Sequence, residues 1–467
     1  MSESRKHLLS GFLAWSLVVL VTAAILSAGL GCAYFNTFYN AKRLYKEAEE
    51  MPRGKDGEVP RVTKDKYEES IRKCEMLITN YPKSKYVDDA ILLIGKCFYE
   101  IGQYDEAIIK FNELRENFPD SKLNKEGRLY LAKSYIGKQS DEIAAAILME
   151  MAEDKKVGRL SDEILFLLGT TLIKVEREEE AIAYLEALAR RYPRSPRRLN
   201  ADLEVATFYA ERGEYDKSIR IYEGLRDLRL PQADKIKYLK SYARVLVDKG
   251  DYDRALNIIG EFNSIVLDPT ETAEVRLLEG RALAGKESYE PAMDVFNTVV
   301  TSFPRSMYSA EAYFRLGEIY QDKLDSLQVA QSQYDRVGQQ YANSPYAGEA
   351  LKRSISISKY MRLQESIAAG GAEGSAAVQF DLAEIQLFQF NNYEKALEGY
   401  RKVLDDFPDS DLAPKAAYAI AYIYDDRLED REQARQAYEF LMNRYPGSQQ
   451  AEQARDKLAR LDDRVQR

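Results

Sequence analysis

The sequence predicts an all-α fold: a right-handed superhelical solenoid of about ten helical hairpins with a 37-residue period. Three observations predict it. First, segments related to Gly102-Gln103-Tyr104-Asp105-Glu106-Ala107 recur, anchored at Tyr67, Tyr104, Asp141, Glu178, Tyr215, Tyr252, Tyr289, Leu327, Tyr393 and Arg431. The first seven anchors are 37 residues apart, the later gaps are 38, 66 and 38, and three residues past each anchor stands Ser70, Ala107, Ala144, Ala181, Ser218, Ala255, Ala292, Ala330, Ala396 or Ala434. Second, an aromatic-Pro-x-Ser motif follows about 14 residues later, beginning at Tyr81, Phe118, Tyr192, Phe303, Phe407 and Tyr445, with Tyr341-Ala342-Asn343-Ser344 as a variant lacking the proline. Third, apolar residues between these marks keep helical spacing. A fixed period of this length is the signature of a repeat architecture.

Taken in chain order, residues 1–31 read as a signal peptide or signal anchor. Arg5 and Lys6 precede a run of 24 uncharged residues, Leu8 to Gly31, which ends on small residues before Cys32. One reading is a cleaved secretory signal whose Cys32 is lipidated; the other is an uncleaved helix long enough to span a bilayer. Either way the positive end stays cytoplasmic and the rest is translocated. Tyr34, Phe35, Phe38 and Tyr39 follow; they suit either the lipid–water interface or the first apolar face of the solenoid. The first unit is expected to be split, with a helix near 37–51, a polar loop at Met51–Gly57 and a second helix from about Thr63.

The following units are more regular. In the second, Ala90, Ile91, Ile94, Phe98 and Ile101 form one stripe and Ala107, Ile108, Phe111 and Leu114 the other. Gly95 and Ala107 are expected to let the two helices approach. The proline stops the second helix, the aromatic plugs the turn, and the serine is expected to N-cap the next helix. Such a hairpin cannot cover its apolar face alone, so units must stack. The unit at Asp141 keeps the spacing but has Asp154-Lys155-Lys156 instead of the proline turn. The main solenoid is read as 32–367, a flexible link as 368–377 around Gly370-Gly371, and the C-terminal repeats as 378–467. Residues 346–367 suit one long helix, and the gap of 66 suggests a unit that has lost most of its second helix. The link is either a hinge or an ordinary surface loop.

Gly95, Phe98, Tyr104, Ala107, Phe111 and Pro119 stand in the order and spacing of the tetratricopeptide repeat, which this chain resembles over about residues 38–460, with a period of 37 in place of 34. The aromatic-Pro-x-Ser turn is similar to repeats of envelope lipoproteins of the BamD and CpoB type. Gly29-Leu30-Gly31-Cys32 resembles a bacterial lipoprotein box, with Gly29 where Leu is usual, and Ala33 after the cysteine favours the outer membrane. The resemblance implies a periplasm-facing, membrane-tethered scaffold that binds envelope proteins or extended peptides. Outer-membrane protein assembly is the first expectation, coordination of cell-wall synthesis or division the second, and a peptidoglycan-binding or peptidoglycan-acting protein a third.

Composition narrows the function. A net charge of −9 argues against nucleic acid; the leader's Arg5, Lys6 and Glu3 sum to +1, so removing it leaves −10. The one histidine, His7, lies in the leader, so the commonest general acid–base is missing from the body of the chain. No Gly-rich phosphate loop, nucleophile elbow or zinc pattern is present, and no enzyme activity and no cofactor are expected. The groove lined by the first helices is expected to bind partners through Lys96, Tyr99, Phe166, Thr170, Lys174, Leu203, Thr207, Lys237, Lys240, Arg244, Glu274, Leu277 and Arg281. Lys237, Lys240 and Arg244 share one helix face; they form either a carboxylate receptor or a solvated face. Cys74 and Cys97 are expected either to form a disulfide in an oxidising compartment or to be buried as thiols.

Overall fold

The structure, a computed structural model, describes residues 37–54, 57–154, 161–368 and 375–465. The leader, Cys32, Tyr34, Phe35, Lys155, Lys156 and residues 369–374 of the link lie outside the described residues. Among the described residues the regular secondary structure is entirely helical, and no described helix is long and apolar enough to cross a membrane.

The described residues up to Leu228 form one compact unit. In it α1 (residues 37–49) precedes α2 (Arg61–Asn80), and the hairpins α3 (Val87–Glu100) with α4 (Tyr104–Asn117), α5 (Asn124–Gly137) with α6 (Asp141–Glu153), α7 (Asp162–Lys174) with α8 (Glu178–Arg191), and α9 (Arg198–Glu211) with α10 (Tyr215–Leu225) follow. The residues from Arg229 form a second. It holds α11 (Gln232–Lys249) with α12 (Tyr252–Gly260), α13 (Pro269–Gly285) with α14 (Tyr289–Ser302), α15 (Met307–Asp322) with α16 (Leu327–Gln340), the long α17 (Ala347–Ala368), α18 (Ala376–Phe388) with α19 (Tyr393–Asp406), α20 (Ala413–Tyr422) with α21 (Arg431–Arg444), and a final α22 (Gln449–Val465). The sequence marks its link at 368–377, whereas the compact units divide after Leu228. Inside the second unit α17 packs on α18 through the Lys359–Asp381 pair at 3.7 Å and the Tyr360 and Phe390 rings, 5.5 Å apart.

Nine of the ten anchors are the first residue of a second helix; only Tyr67 falls inside its helix, α2. The small residue three positions on has no exposed surface in any unit. The residue seven positions on is buried in every unit too: Cys74, Phe111, Leu148, Leu185, Tyr222, Ile259, Phe296, Tyr334, Tyr400 and Tyr438. Gly95 serves this position, not a backbone contact: a Cβ there would lie 2.5 Å from Phe111 Cε1, and Gly280 and Gly317 stand the same way to Phe296 and Tyr334. Where the register does not carry glycine it carries alanine, as at Ala132, Ala206, Ala243, Ala383 and Ala421.

The turn inside each hairpin repeats in detail. Two residues before the anchor the backbone is left-handed in nine hairpins, at Gly102, Gln139, Glu176, Gly213, Gly250, Glu287, Asp325, Asn391 and Glu429. The next N–H then reaches five residues back, as from Gln103 to the Phe98 carbonyl at 2.9 Å and from Arg177 to Leu172 at 2.9 Å, the Schellman closure of a helix C-terminus. In the last three hairpins it reaches six back, from Ser326 to Tyr320, Asn392 to Gln386 and Asp430 to Tyr424. That locates the extra residue of the 38-residue gaps: it is absorbed by widening the last turn of the first helix, in α20 as a π-helical turn at Ile423–Arg427.

The aromatic-Pro-x-Ser turn does part of what the sequence suggests. The aromatic residue caps the second helix, its N–H bonding the carbonyl four residues back, as from Phe118 to Leu114. The serine N-caps the next helix directly at Ser306 and Ser448. At Ser84, Ser121, Ser195, Ser344 and Ser410 it instead receives the N–H two residues on, closing a short turn ahead of the helix. Ser121 and Ser195 also donate back to Asp88 (2.7 Å) and Asp162 (2.6 Å) of the first helix of their own unit's predecessor. The motif is missing after α10 and α12, and these second helices are shorter, 11 and 9 residues against 14 in α4.

Candidate functional site

In a curved stack the helices on the inner side crowd together. Within the first compact unit α3 lies against α5, and within the second α11 lies against α13, α13 against α15 and α20 against α22, while among the described residues no two second helices pack to a comparable extent. The first helices therefore line the inner face, and their outward side chains are the surface available to a partner.

In the first unit this face is aromatic and cationic. The Lys96 ammonium sits 5.1 Å from the Tyr45 ring centroid and 5.0 Å from that of Tyr130, and donates to Glu126 at 3.0 Å. Burial works against the ammonium, but the Glu126 hydrogen bond and the Tyr130 ring outweigh it, and its pKa lies above that of an ordinary lysine. Tyr99 is half-buried beside them, packed edge-on to Tyr130 at 5.4 Å; desolvation pushes its hydroxyl up to about 12. Tyr130 and Lys133 belong to the same surface, Lys133 lying 4.6 Å from the Tyr130 ring and pairing with Glu163. Sequence reasoning missed both, although Lys133 is one period after Lys96 and was findable from register alone.

Other expected groove residues are placed less openly. Phe166 packs against the core, and Leu203 and Leu277 are buried in it. Thr170 and Thr207 turn their hydroxyls onto carbonyls of their own helices, at 2.9 Å each. Lys174 is exposed but paired with Asp141 at 3.2 Å. The basic face of α11 is not three open cations: Lys237 and Arg244 are exposed, while Lys240 is paired with Glu274 of α13. Arg281 likewise pairs with Asp248 at 2.7 Å. A neighbouring hairpin brings a carboxylate 33 or 34 residues away opposite Lys174, Lys240 and Arg281, a pairing that helical periodicity within one hairpin does not reveal.

The Lys174–Asp141 pair belongs to a series. Lys138 pairs with Asp105, Arg212 with Glu179 at 2.7 Å and Lys286 with Asp253, each 33 residues apart. Each cation ends a first helix and each carboxylate begins the second helix of the preceding hairpin, so both also complement their helix dipoles.

The second unit carries a similar aromatic–arginine stack. Phe314 and Tyr346 stack at 4.9 Å, with Arg315 5.3 Å from the Tyr346 ring. Arg353 lies 5.7 Å from the Tyr334 ring and donates to its hydroxyl at 3.1 Å. Carboxylates Glu311, Glu318 and Glu349 hold these arginines. Of the two alternatives for the cysteines the structure has the thiols: Cys74 and Cys97 are free and fully buried, and desolvation raises both, Cys97 to about 12. Among the described residues no group of three or more His, Cys, Asp or Glu side chains is placed to hold a metal ion.

Comparison with known proteins agrees with this architecture. Tetratricopeptide repeat profiles match residues 89–121, 311–344, 377–410 and 415–448, and a second profile of that description matches 166–232. No curated protein matches the sequence. Among solved structures, a tetratricopeptide repeat protein from Parabacteroides merdae is 17% identical, with a TM-score of 0.36 over 59% of this chain and 97% of its own. PilF of Pseudomonas aeruginosa is 18% identical, with a TM-score of 0.37 over 48% of this chain and 95% of its own. YrrB, described as a protein of this repeat class with an unusual peptide-binding site, is 12% identical, with a TM-score of 0.30 over 51% and 96%. The left-handed hairpin turn, the buried small residue after each anchor and the matched segments together identify the matched hairpins as tetratricopeptide repeats, which make the chain a scaffold for protein–protein interaction.

Proposed function

We propose that this scaffold is tethered to a bacterial membrane through Cys32 or the segment before it, faces away from the cytoplasm, and binds envelope proteins during outer-membrane protein assembly. The observation that carries the reading is the joining of two features: a positively charged, apolar leader ending at Cys32, and first helices on which half-buried Lys96, Tyr99 and Tyr130 form an aromatic–cationic cluster over buried Tyr45. Aromatic side chains are enriched at protein interfaces, where rings cover large area at low entropic cost. The resemblance of the aromatic-Pro-x-Ser turn to BamD-type repeats supports the assembly role.

Photo-crosslinking in cells from Tyr99 and Lys237, followed by mass spectrometry, tests the partner. A barrel-assembly protein captured from both positions is the expected result; capture of a cell-wall synthase instead would move the protein to the second role. Membrane fractionation tests the tether. Cys32→Ser should release the chain from the outer-membrane fraction, and unchanged fractionation would discard lipidation at that residue.

A further inference from the structure

We propose that the N-terminal end of α1 and the groove beside it form a contact surface for the headgroups of an anionic phospholipid membrane. This rests on the tethered reading above and adds to it a second contact, made by folded residues instead of the tether. The starting observation is the order of charges along α1. Between Thr37 and Lys46 the charged residues are Lys42, Arg43 and Lys46, and the acids Glu47, Glu49 and Glu50 come at the other end. Two of these cations are met by their own helix, Arg43 lying 3.7 Å from Glu47 and Lys46 3.8 Å from Glu50. A second interaction is available to the cations outside their own helix.

The geometry identifies that interaction. Phe38 stacks on Tyr86 with ring centroids 5.3 Å apart, Lys42 lies 5.7 Å from the Phe38 ring and Lys85 5.1 Å from the Tyr86 ring. Tyr39 is 58% exposed beside them. A groove of about 610 Å³ opens here between α1 and α3, lined also by Arg43, Lys46, Glu49 and Lys96, the last paired with Glu126. Aromatic rings interleaved with cations suit the lipid–water interface and an anionic leaflet. A chain of net charge −9 would otherwise be repelled by such a surface. Phe38, Tyr39 and the cations Lys42, Arg43 and Lys46 lie on the first described helix, which begins six residues after the uncharged run Leu8–Gly31. A protein partner of acidic character would find the same charges, but only a membrane is held at this end by the chain itself.

The test uses the full chain, isolated from membranes and reconstituted into vesicles of phosphatidylcholine alone or with about a third phosphatidylglycerol, with Tyr39→benzoylphenylalanine as a photoprobe. A lipid adduct at position 39 is expected in the anionic vesicles, reduced roughly tenfold by Lys42→Glu/Arg43→Glu/Lys46→Glu and by high salt. The same probe at Ile109, exposed on α4, should give none. Equal labelling in both vesicle types, insensitivity to charge reversal, or an adduct with protein in place of lipid would overturn the proposal. Flotation separates the two claims. Chain that floats without labelling at position 39 removes the contact and leaves the tether. Chain that labels in low salt but is washed off in high salt keeps the contact and removes the tether.

Discussion

At the scale of single residues, the hairpin turn holds untapped stability. Glu176 and Glu287 adopt φ of 60° without the freedom of glycine, a conformation that costs an ordinary residue about 1–2 kcal/mol. Glu176→Gly and Glu287→Gly should each raise stability by about 1 kcal/mol, the gain being trimmed by the greater entropy of glycine in the unfolded chain. Asn391→Gly should gain less, since asparagine tolerates this region. Urea unfolding midpoints check all three; a loss at Glu176→Gly would mean that its side chain contributes more than the turn costs. The glycines facing aromatic rings behave oppositely. Gly95→Ala drives a methyl into the Phe111 ring and should destabilise by about 1–3 kcal/mol. Gly338→Ala, in α16 with open space around it, should stabilise by up to about 1 kcal/mol. The sequence made the anchors and the small residues after them plain, because burial tolerates little else there. It did not reveal the left-handed position. Gln139, Glu176 and Glu429 carry no mark of it, and glycine at Gly102, Gly213 and Gly250 supplied a hint only in three hairpins.

At the scale of elements, the links between hairpins are tied by polar contacts that pH can undo. The Ser195 hydroxyl donates to Asp162, and Arg197 approaches the same carboxylate at 3.2 Å. The hydroxyl, then the guanidinium, hold Asp162 below the usual carboxylate range. A carboxylate depressed in the folded state contributes stability that is whole above its unfolded pKa, about 3.9, and is lost as pH falls through that value toward the lower folded one. Ser195→Ala should therefore flatten the acid limb of the stability profile between roughly pH 5 and pH 3, with less change at pH 7. Denaturation midpoints across that range test it, and parallel profiles for the two proteins would assign the acid limb to other carboxylates. Helix boundaries were readable where the anchor and the proline turn bracket the second helix, as at α4, α8, α14, α19 and α21. The partners of Ser195 and Lys240 were not, because they come from a neighbouring unit 33 or 34 residues away and depend on how units stack. The 38-residue gaps announced an extra residue but not its place; backbone geometry puts it in the last turn of the first helix, where a wider turn leaves the anchor undisturbed.

For the whole molecule, stacking with only nearest-neighbour contacts makes stability a sum of local terms, and units can open separately. Native-state hydrogen exchange in sub-denaturing urea should sort the amides into two groups, 37–228 and 229–465, each following its own dependence on denaturant. A division near 368 instead would place the mechanical break at the glycine-rich link that the composition favours. The sequence pointed there because Gly370-Gly371 is an obvious interruption; the boundary at Leu228 is quieter, lying where the aromatic-Pro-x-Ser turn is missing and α10 ends early. The 33-residue charge series has a bearing on how such a chain changes over generations. The hairpins α5 with α6 and α7 with α8 each offer a carboxylate forward and a cation backward, like links of one gauge. A duplicated or deleted unit would find its neighbours already fitted to receive it, so the number of repeats can drift while each joint stays chemically matched.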